Sequence, residues 1–277
     1  MSLPNLKGVH LSDRDLDFLI ETTASEVTDK GRLKQIIRED EDFRNTFTGD
    51  QRVFRRVMDD DEILLKISPS LFFEILLHRA TDELENASYT MEKEGTMTIP
   101  VFDTDDVVEI LANRSLLLYL ADMLSSFTRI EGYALSFRVR KGVWKKIRFN
   151  DLDIHSLMAF ADAVEETHRL MFYKRIADVC LFVLGIFPDY AERDYRYPFS
   201  RETRPRIAGK PRIAPEDYDK EGRKFYRLAA EHQSAKELAL SDVFWTLHEN
   251  LQKAKKPLNF IAEHYLRYRQ HLAAFSF

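Results

Sequence analysis

The sequence contains few residues that cross-link the chain or interrupt its regular structure: among 277 residues it has one cysteine, nine glycines and nine prolines. A single cysteine excludes an internal disulfide framework and any zinc site built from several cysteines. Cys180 lies within the apolar run of residues 179–184, where we expect a small buried side chain with an unreactive thiol. The scarcity of glycine argues against loops that cradle phosphate, and the P-loop and the dinucleotide-binding turn are both absent.

Long apolar runs are also missing. The longest stretch without a charged residue, Val179–Pro188, has ten residues, whereas a membrane-spanning helix needs about 20. The first seven residues lack the charged-then-apolar order of a secretory signal. We therefore expect a cytoplasmic protein that makes no contact with a membrane.

What the chain does contain is typical of helices. It is 44% hydrophobic and 31% charged, which favours a mainly α, multi-helical fold over a turn-rich sandwich. Ser12 and Asp15 have the spacing of a capping box, with Leu11 and Leu16 at the positions of a hydrophobic staple. Ser68 followed by Pro69 predicts a second helix start.

We predict three regions along the chain. Residues 1–187 form a helical region that carries one small antiparallel β-hairpin at about 133–149, with Asn150 as the cap of the next helix. Residues 188–214 form a basic, proline-containing arm, because their apolar residues show no sustained helical or strand period. Residues 215–277 form a unit of three helices, which start near Pro215, Ser234 and Pro257.

The pairing of the hairpin is predicted from its alternating pattern. A two-residue loop would oppose Phe137 with Lys146, which matches poorly. A three-residue loop, 141–143, pairs Phe137 with Ile147 and Leu135 with Phe149. This pairing gathers five residues on the other face: Arg138, Arg140, Trp144, Lys146 and Arg148.

The order of elements around residues 69–149 is similar to a degenerate winged-helix arrangement. A winged helix that reads DNA presents polar and basic side chains from the helix before its hairpin. Here that helix contains the apolar run Leu116–Leu124, which we expect to be buried. This favours a winged helix that binds protein or is purely structural over one that reads the major groove.

Two segments are strongly basic although the whole chain has a formal net charge of −5. Residues 138–148 contain six Lys or Arg and no acid, and residues 193–212 contain seven against Asp194 and Glu202. Cations interleaved with aromatic rings suit single-stranded nucleic acid, although charge runs are more commonly solvated or answer acidic patches such as residues 59–62. The candidate partner-binding residues are Arg138, Arg140, Trp144, Lys146, Arg148, Arg196, Arg204, Arg206 and Arg212.

A metal site is the rival interpretation. Glu165 and His168 are spaced so that a helix would place both on one face, as in di-iron bundles, but no second copy of the motif is present. If the last two helices form a hairpin, His248 and His264 would lie at similar positions along the two helix axes, flanked by Glu249 and Glu263. Two histidines and two carboxylates can bind a metal ion. A histidine satisfied by a neighbouring polar group is the simpler account of His168.

No catalytic signature nominates an enzyme, and the sequence calls for no cofactor. We therefore favour a non-enzymatic interaction or regulatory protein that uses the hairpin and the arm to bind an acidic protein or a nucleic acid. One alternative is a helical metal-dependent enzyme with Glu and His ligands. The other is a structural subunit of a homo-oligomer whose arm packs across a neighbouring copy.

Overall fold

The computed structural model describes most of the chain and shows a mainly α protein, which confirms the predicted fold class. No helix in the described part is both long enough and apolar enough to cross a bilayer. The described residues are 11–94, 97–101, 103–128, 132–140, 143–150, 152–188 and 215–266.

The described residues divide into two compact units. One contains residues 11–125 together with 252–266, and the other contains residues 126–188 together with 215–251 within its described ranges. The boundaries of these units differ from those of the predicted regions 1–187 and 215–277. The predicted arm begins at residue 188 and is otherwise outside the described residues, so a division there stays a prediction.

The first unit starts with helices whose caps follow from the sequence. Ser12 caps the first helix as predicted: its Oγ accepts from the Asp15 amide at 3.2 Å, and Asp15 Oδ2 accepts from the Ser12 amide at 2.9 Å. Leu11 and Leu16 are both buried, as expected for a staple. The first five helices are α1 (Asp13–Thr23), α2 (Lys30–Glu39), α3 (Glu41–Thr48), α4 (Gln51–Asp59) and α5 (Ile63–Lys66).

The helix predicted at Ser68-Pro69 is α6 (Pro69–Glu85), with the Ser68 side chain as its cap. It leads into a hairpin of β1 (Thr90–Glu94) and β2 (Met97–Val101), in which Glu92 pairs with Ile99. Helices α7 (Thr104–Ala112) and α8 (Arg114–Ser126) follow, separated at Asn113.

The second unit is built around a long buried helix. Its elements are β3 (Gly132–Arg140), β4 (Val143–Asn150), α9 (Ile154–Ala163), a 3₁₀ turn (Glu166–His168), α10 (Arg169–Ile186), α11 (Pro215–Glu231), α12 (Gln233–Glu237) and the first half of α13 (Ser241–Ile261). Helix α10 packs along α11 and α9. Cys180 of α10 is fully buried, which confirms its predicted burial, and this burial raises the pKa of its thiol.

Two local predictions are wrong, and three helices were not predicted. Asn150 ends β4, and the cap of α9 is Asp153, whose Oδ1 accepts from the Ser156 amide at 3.3 Å. Pro257 does not start a helix but lies inside α13, and the non-helical backbone angles of this helix occur earlier, at Asn250. Helices α3, α4 and α5 are the three without a prediction, because their apolar stripes are too short to show a clear period.

The winged-helix arrangement is not confirmed. In the described sheets, β2 pairs with β1, and β3 pairs with β4, so the strand before α7 does not join the later hairpin. The expected burial of residues 116–124 is confirmed for eight of these nine positions, since only Asp122 is partly exposed.

Candidate functional site

The β3–β4 hairpin forms where the alternation predicts it, but in a different register. Leu135 pairs with Ile147, and Tyr133 with Phe149, so the predicted pairing of Leu135 with Phe149 is wrong by two residues. The connection is residues 141–142 rather than 141–143, and a bulge lies between Arg138 and Arg140. The prediction failed because it compared only regular ladders, whereas a bulge lets one strand hold an extra residue.

A shift of two residues keeps every position in its original row of the ladder, since side chains alternate with period two. Arg138 therefore lies opposite Trp144, and Lys146 and Arg148 occupy the next positions of the same row, opposite Ser136 and Ala134. Arg140 lies beyond the bulge, opposite Val143. The candidates in the arm, Arg196, Arg204, Arg206 and Arg212, lie outside the described residues.

Glu165 and His168 do not share a helical face. Helix α9 ends at Ala163, and the two residues belong to the cap and the end of the short 3₁₀ turn before α10. Both are exposed, and His168 Nδ1 lies 3.1 Å from the Thr167 hydroxyl. The predicted helical face that would hold both residues is therefore wrong, whereas the contact with Thr167 agrees with a histidine satisfied by a neighbouring polar group.

His248 and His264 do not lie on two helices of a hairpin. His248 is within α13, and His264 is on the π-helical turn Ala262–Leu266 that continues it. Each Nδ1 bonds a backbone carbonyl: that of Arg223 at 2.9 Å and that of Phe260 at 3.0 Å, respectively. In the described ranges no three His, Cys, Asp or Glu side chains are grouped so that they could hold a metal ion, and a metal site at these histidines stays a prediction.

Two buried ion pairs were not singled out from the sequence. Arg44 of α3 forms a bidentate pair with Glu74 of α6, with Nε–Oε1 at 2.9 Å and Nη2–Oε2 at 2.5 Å. In the other unit, Asp178 accepts from Lys174 Nζ at 2.6 Å and from the Tyr226 hydroxyl at 2.9 Å. The available signal for the second pair was a Lys and an Asp four residues apart in a helix whose C-terminal half is apolar.

His78 of α6 lies close to the first pair. Its Nε2 is inaccessible to solvent and has no hydrogen-bond partner among the described residues. Burial lowers the pKa of His78, opposed by Glu74 and Asp82, while Arg114 and Arg44 lower it further. Burial thus favours the neutral form of the imidazole beside the buried pair of Arg44 and Glu74.

Comparison of the chain with protein-family models, with curated proteins and with solved structures finds no match in any of the three.

Proposed function

We propose that this chain is a non-enzymatic interaction protein whose basic hairpin binds an acidic partner. The observation that carries the proposal is the pairing of β3 with β4, in which Arg138, Lys146 and Arg148 occupy one row of the ladder. Trp144 lies opposite Arg138 in the same row. A row that combines cations with an aromatic residue suits a phosphate backbone with exposed bases.

Charge supports the same conclusion. The hairpin concentrates positive charge in a chain whose total charge is negative. Electrostatic attraction of an anionic partner would therefore be centred on the hairpin. The apolar run of α8 argues against major-groove reading. We therefore propose single-stranded nucleic acid in the cytoplasm as the first partner class to test, with the arm as a second contact and an acidic protein as the alternative.

The test is fluorescence anisotropy of labelled single-stranded and duplex oligonucleotides at several salt concentrations. The key variant changes Arg138, Arg140, Lys146 and Arg148 to Ser. The matched control changes four other cations, Lys30, Arg32, Lys220 and Lys236, to Ser; these are exposed, so the net charge falls by the same amount outside the hairpin.

We expect affinity for the single strand that falls steeply with salt, because each phosphate contact releases counterions. The hairpin variant should lose about tenfold or more in affinity, and the control variant should lose much less. Equal losses in both variants would mean that only net charge matters. No binding by the wild-type protein at low salt would reject nucleic acid and leave an acidic protein as the partner to seek.

A further inference from the structure

A cavity of about 370 Å³ lies in the unit formed by residues 11–125 and 252–266. One wall is a single face of the last helical segment, carrying Lys256, Asn259, Phe260, Glu263 and His264. These positions are three or four residues apart, as a helical face requires. The facing wall is the end of α6 and the chain that leads into β1, residues 84 and 87–90. The volume is that of a small-molecule site.

The polar groups at this cavity are held in place. The side chain of Lys256 is only 7% exposed, and its ammonium group pairs with the carboxylate of Asp103. The other oxygen of Asp103 accepts from the Thr90 hydroxyl at 2.8 Å. The ammonium group of Lys256 is thus a hydrogen-bond donor in a fixed position, and its charge is balanced by the carboxylate of Asp103.

An aromatic surface is fixed beside it. The rings of Phe260 and His264 stack with centroids 4.1 Å apart and an interplanar angle of 20°. The His264 Nδ1–H donates to the Phe260 carbonyl at 3.0 Å, which leaves Nε2 as the acceptor of the neutral ring. Tyr89, 49% exposed, lies on the opposite wall. The cavity therefore combines stacking surfaces with a hydrogen-bond acceptor.

The backbone at the cavity is unusual too. Glu263 and His264 belong to the π-helical turn Ala262–Leu266. The π-helix is rare in proteins, and single π turns occur frequently at functional sites. Here it places Glu263 and His264 on the cavity wall while Tyr265 and Leu266 are buried.

We propose that this cavity binds an uncharged, planar nitrogen heterocycle of the size of a nucleoside. The exposed imidazole of His264, stacked on the Phe260 ring, would contact the face of the heterocycle. The ammonium group of Lys256 is paired with the carboxylate of Asp103, and the lining also contains Glu263, a composition that disfavours a polyanion. The site lies in a different unit from the hairpin, and the proposal does not depend on the proposed function.

The test is saturation-transfer NMR of adenosine with the full-length chain, beside ribose and adenosine monophosphate. We expect saturable binding of adenosine, none of ribose, and no tighter binding of the monophosphate. The exposed His264 allows His264→Ala without loss of core packing, and this variant and Phe260→Leu should bind adenosine about fivefold to a hundredfold more weakly, the range for loss of one stacking partner. His168→Ala removes an exposed histidine from the other unit and should bind as the wild type does.

Three results would overturn the proposal. The first is the lack of saturable adenosine binding up to about 5 mM, the weak limit for a specific small ligand. The second is unchanged affinity in His264→Ala and Phe260→Leu, which would place the ligand elsewhere. The third is much tighter binding of the monophosphate than of adenosine, which would show that the site selects an anion.

Discussion

At the scale of single residues, the charged side chains in the interior are the least expected feature of this chain. Glu74 and Asp178 are fully buried, each beside a cation. Removing one partner of such a pair typically destabilises a protein by about 3–5 kcal/mol, because the other charge remains buried without compensation. His78 adds a third ionisable group next to Arg44 and Glu74.

We predict that His78 makes the stability of the first unit fall at acid pH. Its folded pKa is below the ordinary value of 6.5, so its neutral form is favoured by folding, and this contribution is complete above pH 6.5 and lost as the pH falls. The free energy of unfolding, measured in urea between about pH 7.5 and about pH 5, should decrease by up to about 1.4 kcal/mol per pH unit more steeply in the wild type than in His78→Gln.

The control for this prediction is His155→Gln, which removes an exposed histidine. The His155→Gln variant should keep the wild-type slope even if its absolute stability changes. If His78→Gln and the wild type show the same slope, His78 does not titrate differently in the folded and unfolded chains.

At the scale of elements, the packing of α10 against α11 depends on a glycine. Gly222 of α11 is buried, and a Cβ built there would lie 3.0 Å from both Cys180 Cβ and Leu251 Cδ2. Both distances are shorter than ordinary van der Waals contacts. The close approach of the two helices therefore requires the absence of a side chain at this position.

We predict that Gly222→Ala destabilises the protein, although alanine favours helix more than glycine does. The gain in helix propensity is about 1 kcal/mol, whereas overpacking a core costs about 1–3 kcal/mol, so the net loss should be about 1 kcal/mol. Gly31→Ala in α2 is the matched control, since its Cβ would meet only Asp29 Oδ1 at 3.7 Å. That variant should be more stable than the wild type in thermal or urea unfolding; a stabilised Gly222→Ala would contradict the packing argument.

At the scale of the whole molecule, the first unit is discontinuous in sequence. Residues 252–266 belong with 11–125, and their contacts show why. The ring of Tyr265 lies 5.2 Å from that of Phe54 in α4, and Lys253 Nζ lies 2.8 Å from Asp106 Oδ2 in α7. The last helical segment thus completes a core that begins more than 200 residues earlier in the chain.

We predict that two leucines of the same helix stabilise different units. Leu258 and Leu247 are both fully buried in α13, and each Leu→Ala change should cost about 2–5 kcal/mol. In hydrogen–deuterium exchange, Leu258→Ala should speed exchange within 11–125, and Leu247→Ala should speed exchange within 152–251. Uniform acceleration over the whole chain in both variants would show that it unfolds as a single cooperative unit.

The sequence by itself determined the features that depend on neighbours along the chain. The Ser12 and Ser68 caps, the buried Cys180 and the existence of the β3–β4 hairpin follow from local hydrogen bonding and from periodicity. Only the tertiary structure decided the bulge that sets the hairpin register, the pairing of Arg44 with Glu74, and the cavity at Phe260 and His264. Each of these depends on how distant segments pack, and packing is set by shape and burial that no local pattern encodes.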